Sequence, residues 1–368
     1  MNKSTINSDL IENVRKKING NSNFLLGEYV NVNGKNHWSL ICSCMDWITV
    51  AITFLQSIAF NRDDINVMTM QVYSYISAID IVYESINQLH RVIEGNQNLP
   101  FKGRKTIFAD NLIFCDDNAY FKQIRAAFGA HPVNLNDVNG KWFASWPNHG
   151  LSSKGNDFEL FLYSCDINKP DIIFGLKFAE LNDFLLERYS YLLVLDKEID
   201  KQFEAFRSKK IAEQIENSNN LLEQLKILKV ESEKRLNSDY YRYAIDELIT
   251  IFSNQLANSN LCEKEQIYKD KLGFLIEEIK SNLQSMDLKD FLNHKVLYPD
   301  YPSSIHYPVS KLFNCGFDAL KDPFFWFYIG ELNEHSSGKY EFGTEKSSGE
   351  LLLKIKIMLY FEDEEKFT

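Results

Sequence analysis

Cysteine is scarce in this chain: six are scattered through 368 residues, and no C-x-x-C pair occurs. That excludes a disulfide-stapled scaffold and leaves a structural zinc site without its usual ligand spacing. Reduced, partly buried thiols in a cytoplasmic protein are the expectation. Positive charge is also in short supply, with 40 Lys and Arg against 51 Asp and Glu and a net charge of −11. Coating nucleic acid broadly needs clustered Lys and Arg that displace counterions. A binding scaffold of that kind is disfavoured, whereas a pocket that grips a few phosphates is not. The first 23 residues are polar and lack the apolar core of a secretory signal. Catalytic and nucleotide-binding signatures are missing too: there is no Walker A loop, G-x-G-x-x-G, H-E-x-x-H or G-x-S-x-G. No metal and no cofactor is expected.

What is present suits a globular protein. Hydrophobic residues make up 45% and aromatics 14%, enough for Phe and Tyr to supply much of a core. The length exceeds one ordinary domain. One stretch, 38–60, carries Asp46 as its only charge and is long enough to span a bilayer. Ser39, Ser43, Asp46, Thr53 and Ser57 recur along one side of it, while Ile41, Cys44, Ile48, Ile52, Leu55 and Ala59 line another. Paired stripes of this kind predict a packed bundle helix, not a lipid-facing one.

The organisation expected is mainly α. After a polar N-terminal segment (1–30), two long helices over about 38–60 and 65–94 form an antiparallel hairpin. Met68, Val72, Tyr75, Ile76, Ile79, Val82, Ile86 and Leu89 keep the helical period through the second. A helix over 118–130 follows, ended by the His131-Pro132 pair. Segments 141–146, 158–164 and 171–178 are short, aromatic or β-branched, and separated by turn residues. They predict a small inserted antiparallel sheet at about 141–178. Of its aromatics, Trp142, Phe143 and Trp146 suit the buried face or base stacking. Helical pattern returns over about 179–215, and the polar break at 217–220 marks the boundary between domains 31–216 and 217–368. The second domain is largely helical, with helices over 221–256 and 262–286. Its proline-punctuated, aromatic-rich tail ends in 351–361, either a strand or a final helix.

The candidate chemistry lies in NAYFKQIRAAFGAHPVNL, residues 118–135, where Arg125 precedes His131 by six positions. Arginine offers a charged fork that fits a phosphate, and histidine moves protons near neutral pH. Together they suit RNA cleavage, in which a deprotonated 2′-hydroxyl attacks the adjacent phosphorus. His131 would then act as general base or acid, and Arg125 would stabilise the phosphorane-like transition state. On an ideal helix the two side chains stand about 120° apart. The helix must therefore end between them, or a second copy must complete the site. The plainer alternative has Arg125 bridging a bundle acid and His131 capping the helix. His90, near a helix end, would serve the helix dipole. His37, in a polar stretch before the first long helix, suits a solvated or capping role and His149 an exposed loop, while His294, His306 and His335 show no ligand spacing.

Arg-x5-His near the end of a bundle helix, after two long helices, resembles the HEPN superfamily over roughly residues 35–215. That resemblance implies a HEPN-like helical bundle and a metal-independent endoribonuclease of bacterial defence or toxin–antitoxin systems. It also implies Arg125 and His131 as the catalytic pair, RNA as substrate, and a homodimer that brings two motifs together. The chain departs from the family at Ala126, where a polar residue is common, and in the inserted sheet. Two alternatives stand beside it. One is a non-catalytic helical scaffold that holds a protein partner or antitoxin, away from any membrane. The other is a small-molecule sensor with its ligand near Arg125.

Overall fold

The computed structural model describes residues 6–108, 115–130, 132–137, 140–146, 155–235, 238–257, 259–314 and 322–365. The chain is mainly helical, with one small antiparallel sheet. It divides into two compact units, Met1–Phe203 and Glu204–Thr368. The polar break expected as the domain boundary, 217–220, falls within the second unit and is not helical.

The first unit begins with two helices, α1 (Asp9–Gly20) and α2 (Ser22–Tyr29), where the sequence suggests only a polar segment. The polarity is confined to their outer faces. Ile11, Val14 and Ile18 recur at helical spacing and are buried, as are Phe24, Leu25 and Tyr29. The Asn36 side chain then caps α3 (His37–Ser57), and that of Asp64 caps α4 (Ile65–Ile93) by accepting from the Asn66 and Val67 amides. These two helices form the expected hairpin. Every apolar position predicted for α4 is buried. Along α3, Ile41, Cys44, Ile48, Ile52 and Leu55 are buried, while Ala59 lies beyond the helix and exposed. By length and composition α3 is apolar enough to cross a membrane. Its polar stripe is exposed, and Trp47 and Val50 are exposed with it.

Next come α5 (Asp117–Arg125), a π-helical turn (Ala126–Ala130) and four strands: β1 (Leu135–Asp137), β2 (Gly140–Ser145), β3 (Phe158–Ser164) and β4 (Ile172–Leu176). The sheet is antiparallel in the order β1-β2-β3-β4. The three predicted strands are present, and the short β1 is added at one edge, with Leu135 opposite Trp142. Alternation sorts the side chains. Trp142, Leu160, Leu162, Phe174 and Leu176 are buried, while Phe143, Tyr163 and Ile173 stand exposed. Only Trp142 of the three flagged aromatics is therefore buried; Phe143 and Trp146 are more than a third exposed.

The helical stretch expected over about 179–215 consists of two helices, α6 (Phe178–Ser190) and α7 (Leu192–Ala212), parted at Tyr191. The Tyr191 hydroxyl bonds His90 Nδ1 at 3.0 Å, and His90 Nε2 bonds the Asn98 carbonyl at 2.8 Å. His90 is thus a buried bridge between segments, where the sequence suggested a partner for the helix dipole.

The second unit contains α8 (Leu221–Arg235), α9 (Asp239–Phe252), α10 (Cys262–Ser285), α11 (His294–Leu297), α12 (Ser303–Asn314), α13 (Phe325–Ser336) and α14 (Ser348–Glu365). The helix expected over 221–256 is interrupted between α8 and α9, and the undecided tail segment is a helix. These helices share one apolar core, built from residues such as Leu228, Leu248, Leu272, Ile276, Leu332 and Ile355.

Candidate functional site

The segment that carries Arg125 is fixed at its start by two adjacent aspartates. Asp116 accepts from the Ala119 amide and caps α5. Asp117 is fully buried, and its carboxylate receives the Thr106, Ile107 and Phe108 amides. The buried face of α5 is Tyr120, Phe121 and Ile124, with Phe121 stacked on Phe184 of α6 at 4.3 Å. With that face turned inward, Lys122 and Arg125 point outward at the helix's C-terminal end, where the dipole favours a cation.

Arg125 is 47% exposed, and its Nε lies 2.8 Å from Asp80 Oδ2 on α4. The other carboxylate oxygen, Oδ1, is buried without a hydrogen-bond partner. Burial pushes the Asp80 carboxyl above its usual range, and the Arg125 charge pulls it partway back. The ion pair holds the guanidinium by one edge. The bundle acid that the plainer alternative puts beside Arg125 is present, and it is Asp80, which the sequence pattern does not single out.

Immediately after Arg125 the backbone opens into the π turn. Such turns are rare and often mark functional sites. Phe128 within it packs edge-on against Phe174 of β4 at 5.3 Å. The chain then joins the sheet, where the Pro132 carbonyl accepts from the Ala144 amide at 2.6 Å. The α-helix therefore does end between the two motif positions. His131 itself lies outside the described residues, as does His149. Among the described residues, no group of three or more His, Cys, Asp or Glu is placed to hold a metal ion.

The exposed sheet face follows directly from this segment. Phe143 and Tyr163 are cross-strand neighbours on it, and Tyr163 is stacked with Phe161 in near-parallel planes. Lys141 reaches over the Phe143 ring at 5.8 Å.

Compared with known proteins, the chain matches no family model, no curated protein and no solved structure.

Proposed function

We propose that this chain is a metal-independent endoribonuclease of a bacterial defence or toxin-type system, acting in the cytoplasm through Arg125 and His131. The observation that carries the reading is the placing of Arg125. Its guanidinium is half-exposed at the end of α5, held by Asp80, and set at the entry to the π turn that leads to His131. In this scheme His131 takes the 2′-hydroxyl proton, and Arg125 offsets the charge that builds on the phosphorane. The products carry a 2′,3′-cyclic phosphate and a 5′-hydroxyl. Phe143 and Tyr163 supply ring faces on which unpaired bases stack. The first unit is read as a HEPN-like bundle. Its second copy docks on the exposed apolar residues of α3 and α4, namely Trp47, Val50, Val67, Met70 and Tyr73. Tyr73 also lies against Gly129 of the π turn, so a partner on this face touches the segment between the motif residues.

The test is to incubate wild type, Arg125→Ala and His131→Ala with total cellular RNA in EDTA. Wild type is expected to leave cyclic-phosphate ends, and both variants are expected to lose cleavage with unchanged circular dichroism. Phe143→Ala is expected to raise KM more than it lowers kcat. Cleavage that survives in His131→Ala, or that EDTA abolishes, overturns the reading.

A second reading, a non-catalytic scaffold, is favoured by the exposed aromatics of the second unit. Tyr307, Phe324, Trp326 and Phe327 are each more than half exposed, as at a protein-binding surface. It predicts capture of a protein partner or antitoxin and no RNA turnover in the same assay.

A further inference from the structure

The last helix, α14, contains Leu351–Tyr360, an apolar run interrupted by Lys354 and Lys356. Both lysines are buried. Lys354 turns to Glu345 at 2.8 Å and to the Glu341 carbonyl, tying the helix to the loop before it. Lys356 is different, because it lines a cavity. Its Nζ lies 2.6 Å from Glu247 Oε1 on α9 and donates to the Leu297 carbonyl at 2.6 Å. The rings of Tyr298 and Phe313 face it at 4.8 and 5.0 Å. Burial pushes the Lys356 pKa down, against the pull of Glu247. Burial and the nearby Glu247 carboxylate push the Tyr298 hydroxyl well up. Tyr298 therefore stays protonated beside Glu247.

A buried ion pair is poor evidence of stabilisation, since desolvation offsets the attraction. Perturbed titratable groups gathered at a cavity instead point to a binding site. The cavity here has a volume of about 520 Å³, and its apolar walls include Pro299, Leu312, Leu352, Ile355 and Leu359. The charged side chains that line it are Asp246, Glu247 and Lys356. All three are matched, Asp246 by Lys229 at 2.7 Å and Glu247 by Lys356. A charged ligand would enter without a free counter-charge and would lose its hydration. Glu247 is the more open member of its pair, 20% exposed against 3% for Lys356. A carboxylate has about four acceptor positions. Lys356 occupies one, which leaves capacity for a donor from the cavity side.

We propose that this cavity binds a small neutral molecule with a planar ring and one N–H or O–H donor, the ring lying among the tyrosine and apolar walls and the donor meeting Glu247. The site is independent of Arg125 and of the RNase reading.

Calorimetric titration of the full chain tests it with three probes: indole, which is neutral with one N–H; benzofuran, the same shape without the donor; and indole-3-carboxylate, which is charged. Indole is expected to bind at least about tenfold tighter than either of the others, the discrimination ordinary for one hydrogen bond to a charged acceptor. Leu352→Trp fills the cavity and is expected to abolish indole binding. Ser348→Phe, one helical turn earlier, is the second filling variant, and a variant that keeps the wild-type circular dichroism decides. Absence of indole binding at millimolar concentration, equal affinity for indole and benzofuran, or binding that persists in a folded filling variant overturns the proposal.

Discussion

Asp80 stabilises the placing of Arg125 at some cost to the fold. Its carboxylate is nearly buried, one oxygen has no partner, and burial outweighs Arg125 in setting its pKa, which lies above the usual value. The folded state therefore holds this proton more tightly than the unfolded chain. Below the unfolded pKa of about 3.9 both states are protonated and the penalty is absent. As pH rises through the interval up to the folded pKa the penalty grows, and above it the penalty is fully present. Asp80→Asn is expected to raise the unfolding free energy near neutral pH by up to about 1 kcal/mol, the scale of a half-exposed ion pair. That gain should vanish towards about pH 3.5, below the unfolded pKa. Urea unfolding of both proteins at the two pH values checks this. A loss of stability near neutral pH that vanishes towards about pH 3.5 would show instead that the pair stabilises outright. Cleavage should fall in the same variant, because Arg125 loses the contact that aims it.

At the level of elements, the docking of α14 offers a sharper handle. Gly349, in its first turn, leaves room for the Asn254 side chain: a Cβ there would stand 2.3 Å from Asn254 Nδ2. That side chain cannot swing away freely, since it donates to the Thr250 carbonyl at 2.7 Å and accepts from the Ser347 hydroxyl at 3.0 Å. Gly349→Ala is expected to cost about 1–3 kcal/mol through these displaced hydrogen bonds. Adding Asn254→Ala should recover part of the loss. Thermal melts of the single and double variants test the coupling, and strict additivity would refute it. The same helix explains what the sequence concealed. A helix packed on one side shows its period, as α4 does from Met68 to Leu89. In α14 the buried set runs without a gap from Leu353 to Tyr360, lysines included, and a helix buried all round has no polar stripe to find. Alternation at Lys354 and Lys356 then imitates a strand. Arg125 was legible as a residue type at a known spacing. Asp80 and the Glu247–Lys356 pair were not, because their partners lie on other helices.

For the whole molecule, the question is where the second unit begins. Composition favours the polar break at 217–220, but the side chain of Arg235 on α8 argues for an earlier start. It is wholly buried, with Nε 3.1 Å from Glu231. Its Nη1 donates to the carbonyls of Lys210 at 2.7 Å and Leu283 at 3.3 Å, and its Nη2 donates to the Glu213 carbonyl at 2.7 Å. Residues 210–213 thus supply acceptors that a chain starting at 217 lacks. Ile215 is buried in the same core, and its amide donates to Gln284 Oε1 at 2.8 Å. Losing the Lys210 and Glu213 carbonyls leaves part of the guanidinium without acceptors, at about 1–3 kcal/mol, a sizeable share of the stability of a small unit. A fragment of residues 204–368 is expected to fold with a helical circular dichroism spectrum and one cooperative melt. A fragment of residues 217–368 should melt at markedly lower temperature or remain unfolded. Arg235→Met in the shorter fragment should recover part of the difference, because the unsatisfied charge is gone while the packing stem remains. Equal melting temperatures for the two fragments would place the boundary at the polar break and leave the Arg235 contacts without a role in holding the unit together.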